Sequence, residues 1–552
     1  MNEVSVLIGG KAGDGIGNAG VLIAQMLNHL GYYVYMYNEY PSLIRGGHNF
    51  AVIRAADRQI AVHQDRVDFL LALDQRTVDL HHDANPACTM IVNADLVSSS
   101  RDGQGISLHA ILAAEQAPAI MGNSAVIGAF AKAAGIPWET VAGVFHSHMP
   151  KGLEENLRVA RRAYDQVQTV RAIAPIDRPA LPLLTGNEAI SLGLAKAGLS
   201  AYISYPMTPS SGILHFLAEH ADRLGLTVIH PENEIAVMLM ALGFSYAGRR
   251  VAVGTSGGGF CLMTEGLSLA GMAELPIVIV VSQRTGPSTG LPTYTGQADL
   301  RFVLHAGQGE FPRFVVAPAD ADQAYYWSAV AMNLAWKYQI PAFILSDKTL
   351  SEGQYSLDPE NIAAVVAEKP LLWDGTLPYS RYRDIPGGIS PLAFPGEKDA
   401  IVKVNSYAHD EAGITTEDAG MVSLVANKRM SKWVGLSFAV MDYPAVYVGG
   451  KVDAPTALLC WGSVRGACEE VAVALGLRLV QPVVLHPFPA AQMTGACAGV
   501  NRLITVEENA NGQLAALARA YGIEVYGNIL KYDGRPFTPG ELQVKVEEVM
   551  AR

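Results

Sequence analysis

The chain has 552 residues, half of them hydrophobic, and 54 glycines; at roughly 100 to 200 residues per domain this predicts three or four packed α/β domains and excludes a disordered chain. A formal charge of -12 without any Lys/Arg run excludes a nucleic-acid or membrane-surface binder, and no apolar run approaches the ~18 residues of a membrane span. Cys88, Cys261, Cys460, Cys468 and Cys497 are odd in number and form no CxxC pair, so a soluble, cytoplasmic protein with neither a disulfide framework nor its own iron–sulfur cluster is expected.

The chain opens on an apolar strand over residues 4–8 with no basic region before it, which reads as a first strand and not as a signal peptide. The turn GGKAGDGIGNAG and an amphipathic helix over about 18–30 complete a β-turn-α unit. Gly15, Gly17 and Gly20 fit GxGxxG, but no acidic ribose partner follows at the right place, so the dinucleotide reading is weak. Gly13-Asp14-Gly15 with Asn38 approximates a Mg²⁺-diphosphate motif, a reading disfavoured by its place at the very start of the chain. The Pro-rich stretch AIAPIDRPALP at 172–182 marks a linker, and a new domain starts near 183. From there to about 353 the strands are continuous apolar runs, as at 251–253 and 277–281, the pattern of a parallel sheet buried on both faces. A Pro-, Gly- and Tyr-rich segment at about 374–405 reads as a long wrapping connection. Alternation of strand and helix resumes over 454–552, with a strand at 456–460 and a last helix after Pro539.

The most informative stretch is HPENEIAVMLMALGFSYAGRRVAVGTSGGGF. Glu234 opens a helix after a strand, Gly243-Phe244 follows nine residues on, and Thr255-Ser256-Gly257 ends the next strand. Alone, Glu234 reads equally well as an acid favouring a helix N-terminus, and Glu232 as its support. Together the elements resemble the pyrimidine-binding domain of thiamine-diphosphate enzymes, in which a carboxylate bonded to the aminopyrimidine N1′ manages its proton, and the Gly-aromatic pair packs the helix on the sheet.

Further signatures surround it: Gly-Asn-Glu-Ala at 186–189, Tyr-Pro-Met-Thr-Pro-Ser-Ser at 205–211 and Gln-Arg-Thr-Gly-Pro-Ser-Thr-Gly-Leu-Pro-Thr at 283–293. Thr-Gly-Gln-Ala-Asp-Leu at 295–300, Gly-Gln-Gly-Glu-Phe-Pro at 307–312 and Glu-Glu-Asn-Ala-Asn-Gly-Gln-Leu at 507–514 complete the set. Across most of its length the chain resembles the fused gamma–alpha subunit of coenzyme-A-acylating 2-oxoacid:ferredoxin oxidoreductases. The resemblance makes Glu234 the group that activates thiamine diphosphate, and Thr208 and Arg284 the clamp on the 2-oxoacid carboxylate, a role suited to a planar cation beside a hydroxyl. Read on their own, Arg284 is also compatible with an interdomain salt bridge and Thr208 with a turn cap.

The N-terminal Gly-rich turn with Tyr-Pro-Ser-Leu-Ile-Arg-Gly-Gly-His-Asn at 40–49 resembles the family's gamma domain. The resemblance implies that Gly13, Gly15, Arg45, Gly46 and Gly47 form a backbone nest for a phosphate of coenzyme A; a plain strand–helix turn is the competing reading. It further implies an α/β fold of several doubly wound domains: a gamma domain at 1–175, a pyrimidine-binding domain at 183–370, a connecting segment at 371–450 and a transketolase C-terminal-like domain at 451–552. A beta subunit would carry Mg²⁺, the diphosphate site and a [4Fe–4S] cluster in an (αβ)₂ assembly, and ferredoxin would dock on that subunit. Oxidative decarboxylation of 2-oxoglutarate to succinyl-CoA is the expected reaction, with pyruvate, branched-chain and aryl 2-oxoacids as alternatives. Two departures stand out: Gly258 where the family's turn has proline, and Gln308 where it has histidine between two glycines. A non-oxidative thiamine enzyme would need both thiamine half-sites in one chain, and a CoA- or nucleotide-binding regulatory subunit would not need Thr208, Glu234 and Arg284 together.

Overall fold

The computed structural model describes residues 3–42, 47–98, 103–149 and 151–552. The first apolar run forms the strand Glu3–Lys11, buried along nearly all its length. It pairs parallel with Phe69–Ala72 and antiparallel with His48–Ala56. These are the middle of an eight-stranded sheet in the order Gly103–Ile106, Thr89–Asn93, Phe69–Ala72, Glu3–Lys11, His48–Ala56, Tyr33–Glu39, Gln354–Ser356; the last, Leu183–Thr185, leads into the second unit. The helix Ile16–His29 lays Ile16, Ala19, Leu22, Ile23, Met26 and Leu27 onto the core of this first compact unit, which takes in the chain up to Leu184 with Glu352–Asp358 and Thr538–Val544. The Pro-rich 172–182 stretch is irregular but fastened: buried Asn28 donates to Leu181 O at 2.7 Å and accepts Leu181 N at 3.0 Å, and Ile176 N donates to Leu30 O.

The second unit is built on a seven-stranded sheet in the order Val484–His486, Phe314–Val316, Pro341–Asp347, Ile277–Gln283, Val251–Thr255, Ala201–Ile203, Thr227–Ile229. All pairings are parallel except that of Val484–His486. Ile277–Gln283 and Pro341–Asp347 are buried at every residue, as strands covered on both faces must be. Chain order reverses between Ala201–Ile203 and Val251–Thr255, so loops leaving the carboxyl ends of those strands diverge and open a crevice. A five-stranded sheet follows, Val446–Gly450, Arg478–Pro482, Thr456–Leu459, Arg502–Glu507, Gly527–Leu530. Val281 and Leu345 of one sheet share a core with Leu459 of the other, with Trp461 just after that strand and with Leu514 of the helix Gln513–Ala520. The expected α/β class holds throughout.

Between 362 and 418 the chain forms no helix and no extended strand, and then runs into a 22-residue helix, Ala419–Val440. That helix is pinned by charge. Lys428 Nζ reaches Glu274 Oε2 at 2.7 Å, Lys432 pairs with the same carboxylate, and Arg381 Nη2 donates to Glu274 O at 2.7 Å. Burial alone would raise the Glu274 carboxyl; Lys432, Lys428 and Arg381 hold it well below the usual carboxylate range.

Candidate active site

Glu234 is the first residue of the helix Glu234–Tyr246 and is 3% exposed. It does not cap that helix. Asn233 does, its side chain accepting from Ala236 N at 2.9 Å, while Glu234 is the acid of the first turn, where the helix dipole favours it. Glu234 Oε1 is buried with no protein partner. A Cβ placed on Gly259 would stand 2.5 Å from that oxygen and closer still to Thr255 Oγ1, so glycine at 259 is what leaves room for the carboxylate beside the Thr255 strand end. Glu232 is exposed and gives no support. Gly243 does not pack the helix on the sheet: it is exposed, and a Cβ there would meet nothing within 4 Å. At 3.6 residues per turn, nine residues are two and a half turns, so a helix that turns Glu234 inward turns Gly243 outward.

Thr208 and Arg284 come together. Thr208 follows Ala201–Ile203, Arg284 follows Ile277–Gln283, and Arg284 Nη1 donates to Thr208 O at 2.8 Å. Arg284 Nε is buried without a partner. Asp299, which the sequence offered only within a signature, faces the same guanidinium and the start of the helix Gly257–Met272. Burial pulls Arg284 below its usual range while Asp299 opposes; burial pushes the Asp299 carboxyl up to about 6 while Arg284 opposes. Thr208 and Thr255-Ser256-Gly257 thus lie at the carboxyl ends of the two strands that flank the order reversal, where open α/β sheets bind ligands, and Glu234 and Arg284 follow the next strand out on either side.

The other signatures are scaffolding. Asn187 Nδ2 donates to Pro209 O at 2.9 Å and holds the Thr208 turn. Gln297 N donates to Glu508 O at 2.8 Å, and its side chain donates to Asp347 Oδ2 at 3.3 Å and Trp461 O at 2.9 Å, tying the two sheets together. Burial, with Asp347 adding to it, pushes the Glu508 carboxyl up to about 8. Gln308 is exposed, its backbone N–H on Ser268 Oγ, in the wall of a cavity of about 840 Å³ that none of Glu234, Thr208 and Arg284 lines. Gly258 sits in the first turn of its helix, a position that tolerates proline, and a Cβ there would meet only Ser288 O at 3.7 Å.

In the first unit Gly13 and Gly15 adopt φ of 102° and 72°, which a side chain would resist. Asp14 Oδ2 turns back to accept Lys11 N at 2.8 Å, closing the turn rather than facing outward for a metal. Gly47 O accepts Ala12 N at 3.3 Å, which brings the second glycine motif against the first. Arg45 and Gly46 lie outside the described residues.

Comparison with known proteins agrees with this layout. Residues 193–427 match the family described as pyruvate flavodoxin/ferredoxin oxidoreductase, thiamine diP-bdg, and residues 5–166 match pyruvate ferredoxin/flavodoxin oxidoreductase. A 2-oxoacid:ferredoxin oxidoreductase subunit alpha from a Sulfolobus species is 29% identical over 99% of this chain and 97% of its own. A 2-oxoglutarate synthase subunit KorA from Archaeoglobus fulgidus is 38% identical over 32% of this chain and 51% of its own. The 2-oxoglutarate:ferredoxin oxidoreductase from Magnetococcus marinus, solved with 2-oxoglutarate, coenzyme A and succinyl-CoA bound, is 27% identical and superposes with a TM-score of 0.89 over 100% of both chains. With two family domains, full-length alpha-subunit relatives and one shared fold, the chain is similar along its whole length to the alpha subunits of 2-oxoacid:ferredoxin oxidoreductases.

Proposed function

We propose that this chain is the half of a coenzyme-A-acylating 2-oxoacid:ferredoxin oxidoreductase that activates thiamine diphosphate and holds the 2-oxoacid, with 2-oxoglutarate the first substrate. The observation that carries the reading is the buried, unpartnered Glu234 Oε1 at the start of the helix that follows one strand of the sheet whose other strand ends carry Thr208 and Arg284. An orphaned carboxylate oxygen fits a group that shares a proton with a ring nitrogen. Thiamine diphosphate, when bound, supplies the nucleophilic carbon and the electron sink for decarboxylation. Glu234 holds the proton at N1′, while Arg284, through its free Nε, and the Thr208 hydroxyl take the substrate carboxylate. The net reaction turns 2-oxoacid, CoA and oxidised ferredoxin into acyl-CoA, CO₂ and reduced ferredoxin.

The named substrates of the Archaeoglobus and Magnetococcus relatives support 2-oxoglutarate; kcat/KM for pyruvate, branched-chain and aryl 2-oxoacids ranks the alternatives. A beta subunit supplies Mg²⁺, the diphosphate site and a [4Fe–4S] cluster, receives ferredoxin, and assembles with this chain as (αβ)₂. Half-exposed Ile235, Leu239, Met240 and Leu262 on the helices around Glu234 support a partner surface there. Coenzyme A places a phosphate on the turn of Gly13, Gly15, Arg45, Gly46 and Gly47.

Purification with the co-eluting partner, followed by iron and thiamine counts, tests the assembly; the chain alone should be inactive, and robust turnover by it would defeat the proposal. In the assembled enzyme Glu234→Gln keeps the volume but cannot manage the proton, so turnover should fall ~10² to 10⁴-fold. Wild-type deuterium exchange at the thiazolium C2 in that variant would move the role elsewhere.

A further inference from the structure

The loop that carries Arg284 is secured by residues distant from it in sequence. Its body, with glycines at 286, 290 and 296 and prolines at 287 and 292, has few bonds of its own: Thr285 N donates to Tyr294 O, Leu291 N to Thr285 O, and Thr285 Oγ1 to Thr295 O at 2.6 Å. The returning limb is held from the C-terminal sheet. Thr295 Oγ1 donates to Glu508 Oε2 at 3.3 Å, Thr295 N to Gly534 O at 3.1 Å, and Gln297 N to Glu508 O at 2.8 Å. The other oxygen of Glu508 accepts Phe537 N at 3.2 Å. Thr295 and Glu508 are 2% and 4% exposed, so no solvent competes for their bond.

We propose that Glu508 is a positioning residue for the substrate clamp: through Thr295 and Thr285 it fixes the Arg284 loop, and so sets the apparent affinity for the 2-oxoacid without touching it. The inference rests on reading Arg284 as the carboxylate clamp. A guanidinium placed by a Gly/Pro loop must lose the freedom of that loop on binding unless the loop is already ordered, and the Glu508–Thr295 contact orders it in advance.

The test is steady-state kinetics of the assembled enzyme with the 2-oxoacid varied. Glu508→Ala and Thr295→Val should each raise KM about 5- to 10-fold with kcat changed less than about twofold, the scale of one lost hydrogen bond read out in substrate binding. Glu508→Gln, which keeps the buried contact, should restore the wild-type KM. In an Arg284→Lys background Glu508→Ala should add at most about twofold, because both changes act through one group. Amide exchange over residues 285–297 should quicken in the Ala and Val variants. If Arg284→Lys raises KM while Thr295→Val and Glu508→Ala do not, or if the effects multiply in full, the inference fails and the clamp stands. If Arg284→Lys leaves KM unchanged, the clamp fails and takes the inference with it. Should Glu508→Ala not assemble, Thr295→Val decides alone.

Discussion

Gly259→Ala asks whether the Glu234 carboxylate works where it stands, without altering the carboxylate itself. The added methyl would lie 2.5 Å from Glu234 Oε1, so the oxygen must retreat by about 1 Å to reach ordinary contact distance, and Thr255 Oγ1 must give way further. Overpacking of this kind costs about 1 to 3 kcal/mol, and replacing glycine inside a helix returns about 0.5 to 1 kcal/mol, so the variant should lose no more than about 2.5 kcal/mol and assemble. Catalysis should suffer far more: a displacement of about 1 Å at a reacting group costs on the order of 10²-fold. Gly258→Ala is the matched control. Its methyl meets only Ser288 O at 3.7 Å, so it should gain about 0.5 to 1 kcal/mol and keep full activity. Thermal denaturation and turnover of the two assembled variants, with thiazolium C2 exchange measured without substrate, make the comparison. Wild-type turnover and exchange in Gly259→Ala would refute the assignment of Glu234.

Arg284→Lys keeps the charge and loses the fork, so kcat/KM should fall by about 1.5 to 3 kcal/mol of transition-state binding while C2 exchange without substrate stays normal; Thr208→Val should repeat the pattern more weakly. Slowed exchange in Arg284→Lys would return that residue to a structural role. Since Asp299 titrates at about 6, it ionises as pH rises through that value and competes for Arg284, so KM for the 2-oxoacid should rise across the step and Asp299→Asn should flatten it. The same raised value means that the stability it contributes is present in acid and lost as pH rises through about 6, which denaturation of wild type and Asp299→Asn against pH will read. Glu274→Gln leaves Lys428 and Lys432 buried without their counter-ion and should destabilise the chain by about 3 to 5 kcal/mol in chemical denaturation; a loss under 1 kcal/mol would contradict the role of that cluster.

Much of the fold was legible because parallel strands covered on both faces leave uninterrupted apolar runs, and those at 251–253 and 277–281 became Val251–Thr255 and Ile277–Gln283. The site residues were legible for a related reason: each follows a strand by a few positions, Thr208 and Arg284 after buried ones and Glu234 after the edge strand Thr227–Ile229, so its place at the strand end is a local property. What depended on distant partners was not. Lys428 and Lys432, one turn apart on Ala419–Val440, look in sequence like a solvated face, and only Glu274, more than 150 residues earlier, makes that face the buried one. Gln297 and Glu508 each stood inside a signature, yet their pairing joins segments over 200 residues apart, and no reading of either motif alone assigns it.

The contrast between two buried acids shows which sequence-visible carboxylates are due a ligand. Glu274 and Glu234 are 1% and 3% exposed, so burial does not separate them. Glu274 has two lysines on its carboxylate, and its charge is spent within the fold. Among the described residues Glu234 is the sole carboxylate with a buried oxygen that no protein donor meets. Leaving a buried polar atom unmet costs about 1 to 3 kcal/mol, more when it is charged, and the side-chain cap of the helix it opens comes from Asn233. Gly259 lets that oxygen stand where it does, since a Cβ there would lie 2.5 Å from it. An oxygen left unmet at that cost is what the proposed role of Glu234, toward a ring nitrogen from outside the chain, requires.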